Sequence, residues 1–152
     1  MHAVISFRLD YCNSLFMNMN KQNLFKLQKV QNAAARLVLG RRRRESATQA
    51  LNELHWLNVD ARITFKTLLL VYKVLHGICS KNFDLQYKGF NGRPNDYLLL
   101  HTPTFKTVYG KRIFAYNGSR LWNALPLNVR AEESVKKLKK STKTFRWKVT
   151  MS

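Results

Sequence analysis

The sequence predicts a mainly α-helical protein, a small helical bundle with a loop and short-strand insertion and a basic C-terminal helix. Three observations predict it. Apolar residues recur at spacings of three and four through most of the chain, the period of one helix face. Asn, Ser and Gly stand where such runs begin and end, as helix caps do. Apolar residues make up 45% of the 152 positions and aromatic residues 12%, enough to bury a core despite a formal charge of +19.

Residues 1 to 19 read as the end of a helix followed by a turn, with Val4, Phe7, Tyr11 and Leu15 on one face and Asn18 to Asn20 as the breaker. A clearer helix runs from Lys21 to Gly40. Leu24, Leu27, Val30, Ala34, Leu37 and Val38 form its apolar stripe, Gln22, Lys26, Lys29 and Arg36 lie opposite, and Gly40 suits a left-handed C-cap. After Arg41 to Arg44, Ser46 or Thr48 caps a short helix with Ala50, Leu51 and Leu54 inward, and Trp56 and Leu57 fill a tight connection. Asn58 or Asp60 opens the next helix, Val59 to His76, and Gly77 closes it; Ile63, Leu70 and Val74 make it the expected central core helix. Arg62, Lys66 and Lys73 line one of its sides, because offsets of four and seven return to nearly the same face.

Gly, Asn and Pro between Ser80 and Pro94 signal a loop, taken as the boundary between a helical unit at 1–79 and a second at 111–152. Within the intervening 80–110 segment, Tyr97 to Leu100 and Phe105 to Tyr109 are candidates for two short strands around Pro103. Lys111 to Leu125 reads as a helix with Ile113, Phe114, Leu121, Trp122 and Leu125 apolar, kinked near Asn117 and Gly118 and stopped by Pro126. Ser134 then caps a helix in which Val135, Leu138, Thr142 and Phe145 repeat at helical spacing, while seven Lys or Arg and no carboxylate occupy residues 135 to 152.

Charge predicts a partner. Lys and Arg number 27 against 8 Asp and Glu, and such a surface attracts polyanions, nucleic acid first and anionic lipid second. The start, MHAVISFRLDYC, places an Arg and an Asp where a signal peptide needs an apolar core, and no run of about 18 apolar residues occurs, so the expected setting is intracellular, nuclear or cytoplasmic, and not secreted. Cys12 and Cys79 fit free thiols better than a disulfide framework.

Metal-dependent phosphoryl chemistry needs clustered carboxylates to hold two divalent ions. The only adjacent acids are Glu132 and Glu133; Asp10, Glu45, Glu53, Asp60, Asp84 and Asp96 stand apart, as solvated or capping residues do. His76 and Cys79 have half the spacing of a zinc site without a second pair, which favours a structural role. There is no G-x-S-x-G elbow, P-loop or G-x-G-x-x-G. The expectation is a non-enzyme with no cofactor, no metal and no small-molecule substrate.

Several uncommon strings follow one another: LDYCNSLF at 9 to 16, LQKVQNAAARLVLG at 27 to 40, LNELHWLNVDARITFKTLLLVYKVLHG at 51 to 77, YGKRIF at 109 to 114 and LWNALPLNVR at 121 to 130. In this order they resemble the region that follows the polymerase core in LINE-type (non-LTR retrotransposon) reverse transcriptases. The last two match a family pattern of YG-x-R-x-F followed by LWN-x-LP-x-x, Ile or Val, and Arg. The chain departs from it at Asn58 and Ser119, where proline is common, and at Lys111, where an acid is common. The resemblance implies a parent RNA-directed DNA polymerase with an endonuclease, both upstream. The palm aspartates are missing here, so only a nucleic-acid-binding role carries over; the alternative is a retrotransposon-derived fragment with no selected function.

Arg41, Arg42, Arg43 and Arg44 can be a nuclear-import signal, a phosphate clamp or a solvated turn; their position at a helix end, extended by Lys26, Lys29 and Arg36, favours the clamp. Lys136, Lys137, Lys139 and Lys140 suit phosphate contact as well as they suit a solvated face over Val135, Leu138 and Phe145. Binding to an anionic membrane surface ranks third for that helix. Trp56 and Trp122, each among leucines, read as core, and Trp147, flanked by Arg146 and Lys148, as the residue suited to stacking on a base. The expected partner is therefore the backbone of RNA or DNA, with no membrane.

Overall fold

Local capping decides where each helix begins and ends. The computed structural model describes residues 16, 17, 19–79, 83, 85–89, 97–107 and 109–140. Asn20 opens α1 (Lys21–Val38), its Oδ1 accepting from the Gln22 amide at 3.1 Å. The Ser46 hydroxyl caps α2 (Ala47–Glu53), and Asn58 Oδ1 accepts from the Ala61 amide at 2.8 Å at the start of α3 (Val59–Leu75). Gly40 and Gly77 have φ of 64° and 67°, the left-handed conformation that glycine adopts without a side-chain clash. Each closes its helix with a paired motif: Arg41 and Gly40 donate to the Arg36 and Leu37 carbonyls, and Ile78 and Gly77 to those of Lys73 and Val74.

The chain separates into two compact units, Met1–Ile63 and Thr64–Ser152. This division falls inside α3, whereas the sequence placed the boundary in the 80–110 loop. Leu100, which the sequence placed in a possible short strand of that loop segment, is a fully buried member of the second unit's core.

In the first unit Ala34 and Ala35 of α1 pack on Ala50 and Leu51 of α2, with Trp56 closing the cluster and Leu39 and Leu54 at its edge. Alanine at the contact lets the two helix backbones approach closely. The buried face of α1 is rotated from the expected stripe. Val30 and Leu37 are 60% and 64% exposed, Val38 is exposed, and Leu24 and Leu27 are only half-buried, while Gln31 is buried. Polar bonding explains the rotation. Gln31 Nε2 donates to the Leu57 carbonyl and Gln28 Oε1 accepts from the Val59 amide, both at 2.8 Å; Gln28 Nε2 donates to Gln31 Oε1 and Asn32 Oδ1. These glutamines satisfy backbone groups at the entry to α3 that would otherwise lack partners.

The second unit is built around Leu68, Val71 and Tyr72 of α3, with Leu100, Trp122, Leu125, Val129 and Leu138. Leu70 and Val74, expected at the centre, are half-buried; the inward face also carries Thr64 and Thr67. After a 3-10 turn (Gly110–Arg112) come α4 (Phe114–Asn123) and the one-turn α5 (Leu127–Arg130), opened by Pro126, and residues 135–140 are helical again. α4 runs unbroken through Asn117 and Gly118, where the sequence suggested a weak point. A Cβ at Gly118 would stand 2.9 Å from Val71 Cγ2, so this glycine permits close packing. Ile113, expected inside, is exposed.

Neither expected strand forms among the described residues. One antiparallel bridge joins Tyr87 and Leu100. Side chains hold the extended segment instead: Trp122 Nε1 donates to the Leu98 carbonyl at 2.9 Å, the Asn123 amide exchanges two 2.8 Å bonds with the Leu100 backbone, and Arg130 donates to the Tyr97 carbonyl at 2.8 Å. The LWNALPLNVR string thus supplies a polar staple for residues 97–100. The N-terminal helix end expected from Val4, Phe7, Tyr11 and Leu15, and the helix positions Thr142 and Phe145, lie outside the described residues.

Candidate nucleic-acid interface

The turn between α1 and α2 carries the four consecutive arginines Arg41 to Arg44. It begins with the closing motif of α1, in which the Arg41 amide donates to the Arg36 carbonyl. Arg36 Nε donates to the Glu45 carbonyl at 2.9 Å, and the Arg42 amide donates to Glu45 Oε1 at 2.9 Å. Arg41 folds back, its guanidinium 2.6 Å from Glu53 Oε2 and 3.9 Å from Glu45 Oε2. Both carboxylates of this region are therefore occupied with Arg41 and with the turn's own backbone. Arg42, Arg43 and Arg44 are exposed, and no ion pair of their side chains exists among the described residues.

The seven cations that the sequence grouped here thus divide by position. Arg36 and Arg41, half-buried, build the turn; Arg42 to Arg44 project from it. Lys26 and Lys29 are exposed on α1, and on a 100° wheel they fall with Arg36 within about 80° of arc. Lys29 Nζ sits 4.7 Å from the centre of the exposed Phe25 ring. The α1 helix has no carboxylate at all.

In the second unit Leu138 is buried and Val135 packs against the core, leaving Lys136, Lys137, Lys139 and Lys140 exposed. Lys137 lies 3.9 Å from Glu132. Lys139 and Lys140 join Lys66, Phe65 and Leu69 around an open cleft of about 470 Å³, a grouping of Lys66 with the C-terminal lysines that spacing alone could not disclose. Trp147 lies outside the described residues. Trp56 and Trp122 are buried, as their leucine-rich surroundings indicated.

No protein-family model, curated protein or solved structure matches the chain.

Burial, reinforced by the nearby Glu133 and Glu132, pushes the Tyr72 phenol above its ordinary 10.0, and its hydroxyl donates to the Glu133 carbonyl. His76, half of the H-x-x-C pair, stacks on Tyr72 with 3.8 Å between ring centres, and its Nδ1 is 2.9 Å from the Tyr72 carbonyl. Cys79 is a half-buried free thiol. Among the described residues no three His, Cys, Asp or Glu side chains are grouped to hold a metal ion, and no helix is long and apolar enough to cross a membrane.

Proposed function

We propose that this chain binds RNA or DNA through the phosphate backbone and does no polymerase or nuclease chemistry of its own, as the C-terminal part of a LINE-type reverse transcriptase would. The observation that carries the reading is the α1–α2 turn. Glu45 and Glu53 pair with Arg41 and brace the loop, so that Arg42, Arg43 and Arg44 are left exposed with no ion pair of their side chains among the described residues. Three guanidinium forks on one braced turn suit neighbouring phosphates of one strand, each fork able to take two oxygens. Lys26 and Lys29 extend the field along α1. Arg36 and Arg41 act as positioning residues. The order of family-like strings supports the origin, and contacts confined to phosphates carry no base preference.

The test compares two variants of equal charge. Replacing Arg42, Arg43 and Arg44 by Gln should weaken binding to duplex and single strand of any sequence; replacing Lys136, Lys139 and Lys140 by Gln should weaken it less. Equal losses would assign binding to diffuse charge, and no loss in either would end the nucleic-acid reading. Template-dependent nucleotide incorporation with Mg²⁺ or Mn²⁺ by the purified chain would overturn its non-catalytic part.

A further inference from the structure

A second, separate feature of the fold holds an aromatic ring out in solvent beside cations. Tyr109 is 77% exposed, and the Arg112 guanidinium carbon lies 5.3 Å from its ring centre. Lys106, Lys111 and Arg112 are exposed at neighbouring positions of the chain, and no Asp or Glu occurs between residues 97 and 131. An exposed tyrosine alone would mean little. The construction beneath it is the informative part.

The turn carrying Tyr109 and Arg112 is fixed from three sides. Asn117, fully buried in α4, donates through Nδ2 to the Lys111 carbonyl at 2.7 Å and to the Ile113 carbonyl at 3.4 Å. The Thr107 hydroxyl accepts from the Gly110 amide at 3.1 Å, and the Arg112 and Ile113 amides donate to the Tyr109 and Gly110 carbonyls. Phe105 packs so closely against Gly110 that an added Cβ would lie 2.7 Å from Phe105 Cβ. Phe105 in turn meets Tyr116 of α4 edge-on. A buried amide and a glycine without room for a side chain are thus committed to an exposed turn that presents one flat ring and three cations.

We infer that Tyr109 is a stacking platform for one unpaired base of a single-stranded nucleic acid, with Arg112, Lys111 and Lys106 receiving the flanking phosphates. This deepens and rests on the nucleic-acid reading above. Stacking on an aromatic face tolerates any base, and a paired base inside a duplex has no face to offer. The site therefore adds affinity for single strands only, whereas the Arg42–Arg44 turn serves both forms.

The experiment measures Tyr109→Ala and Tyr109→Trp in the full chain, on a short single strand of uniform sequence and on a duplex of equal length at one salt concentration. Tyr109→Ala should lose single-strand affinity by about tenfold or more and leave duplex affinity unchanged, while Tyr109→Trp keeps both. A 2-aminopurine placed in the single strand should be quenched by the parent chain and by Tyr109→Trp, and not by Tyr109→Ala. Unchanged single-strand affinity in Tyr109→Ala, or equal loss on both forms, overturns the platform. The Arg42, Arg43 and Arg44 to Gln variant in the same assay separates the two proposals. Loss on both forms there, with none in Tyr109→Ala, leaves the clamp standing and removes the platform. The opposite pattern removes the clamp, and binding to neither form by the parent chain removes both.

Discussion

At the residue scale, the structure places two side chains where a simple substitution has a computable sign. His55 has φ of 54° at the end of α2, where its amide donates to the Asn52 carbonyl and Trp56 to that of Leu51. This is the closing motif that glycine usually completes, occupied by a residue whose Cβ crowds the backbone. His55→Gly should raise stability by about 1 kcal/mol, seen as a higher denaturant midpoint with unchanged slope; a lower midpoint would mean that the imidazole makes a contact of greater worth. Tyr72 tests a pH dependence. Its phenol is raised above 10.0 in the folded state, so the folded chain holds the proton longer than the unfolded one. Its contribution is fully present below pH 10, the unfolded value, and is lost as pH rises from there through the raised folded value. Tyr72→Phe should flatten that alkaline fall while costing about 1 kcal/mol at neutral pH for the bond lost to the Glu133 carbonyl. An equal alkaline slope in both proteins would place the titration elsewhere.

At the element scale, helix ends were more legible than the inward faces of α1 and α3. Asn20, Ser46, Asn58, Gly40 and Gly77 act within a few residues of themselves, so local spacing locates them. Which face turns inward depends on partners far along the chain. Gln31 is buried because the Leu57 carbonyl, 26 residues away, needs a donor, and that bond outranks the apolar stripe through Val30 and Leu37. Gly118 looks like a helix weak point until Val71 is seen against it. The same shift applies to α3, where Leu68 replaces Leu70 as the core leucine. Leu68→Ala should cost about 2–5 kcal/mol and Leu70→Ala distinctly less. The reverse order, measured by urea unfolding, would show that the inward face of α3 is misassigned.

At the scale of the whole molecule, a charge of +19 is the basis for proposing a polyanionic partner, and the run Arg41–Arg44 was legible as the densest point of that charge. That only three of the four point outward was not legible. It depends on α2 bringing Glu53 to within 2.6 Å of Arg41, a contact across 12 positions. The Tyr109 turn escaped for a similar reason: Tyr109 reads as the end of a short strand and Lys111 as the start of a helix, and only the buried Asn117 and the crowding at Gly110 reveal a separate, braced loop. The measurement that tests phosphate binding most directly is the slope of log affinity against log salt on duplex. Each phosphate contact releases counterions worth a slope of about 0.9, so Gln at Arg42, Arg43 and Arg44 should flatten the slope by up to about 2.7 whatever the duplex sequence. A slope unchanged by that triple substitution would contradict the account, because the arginines of this turn would then touch no phosphate.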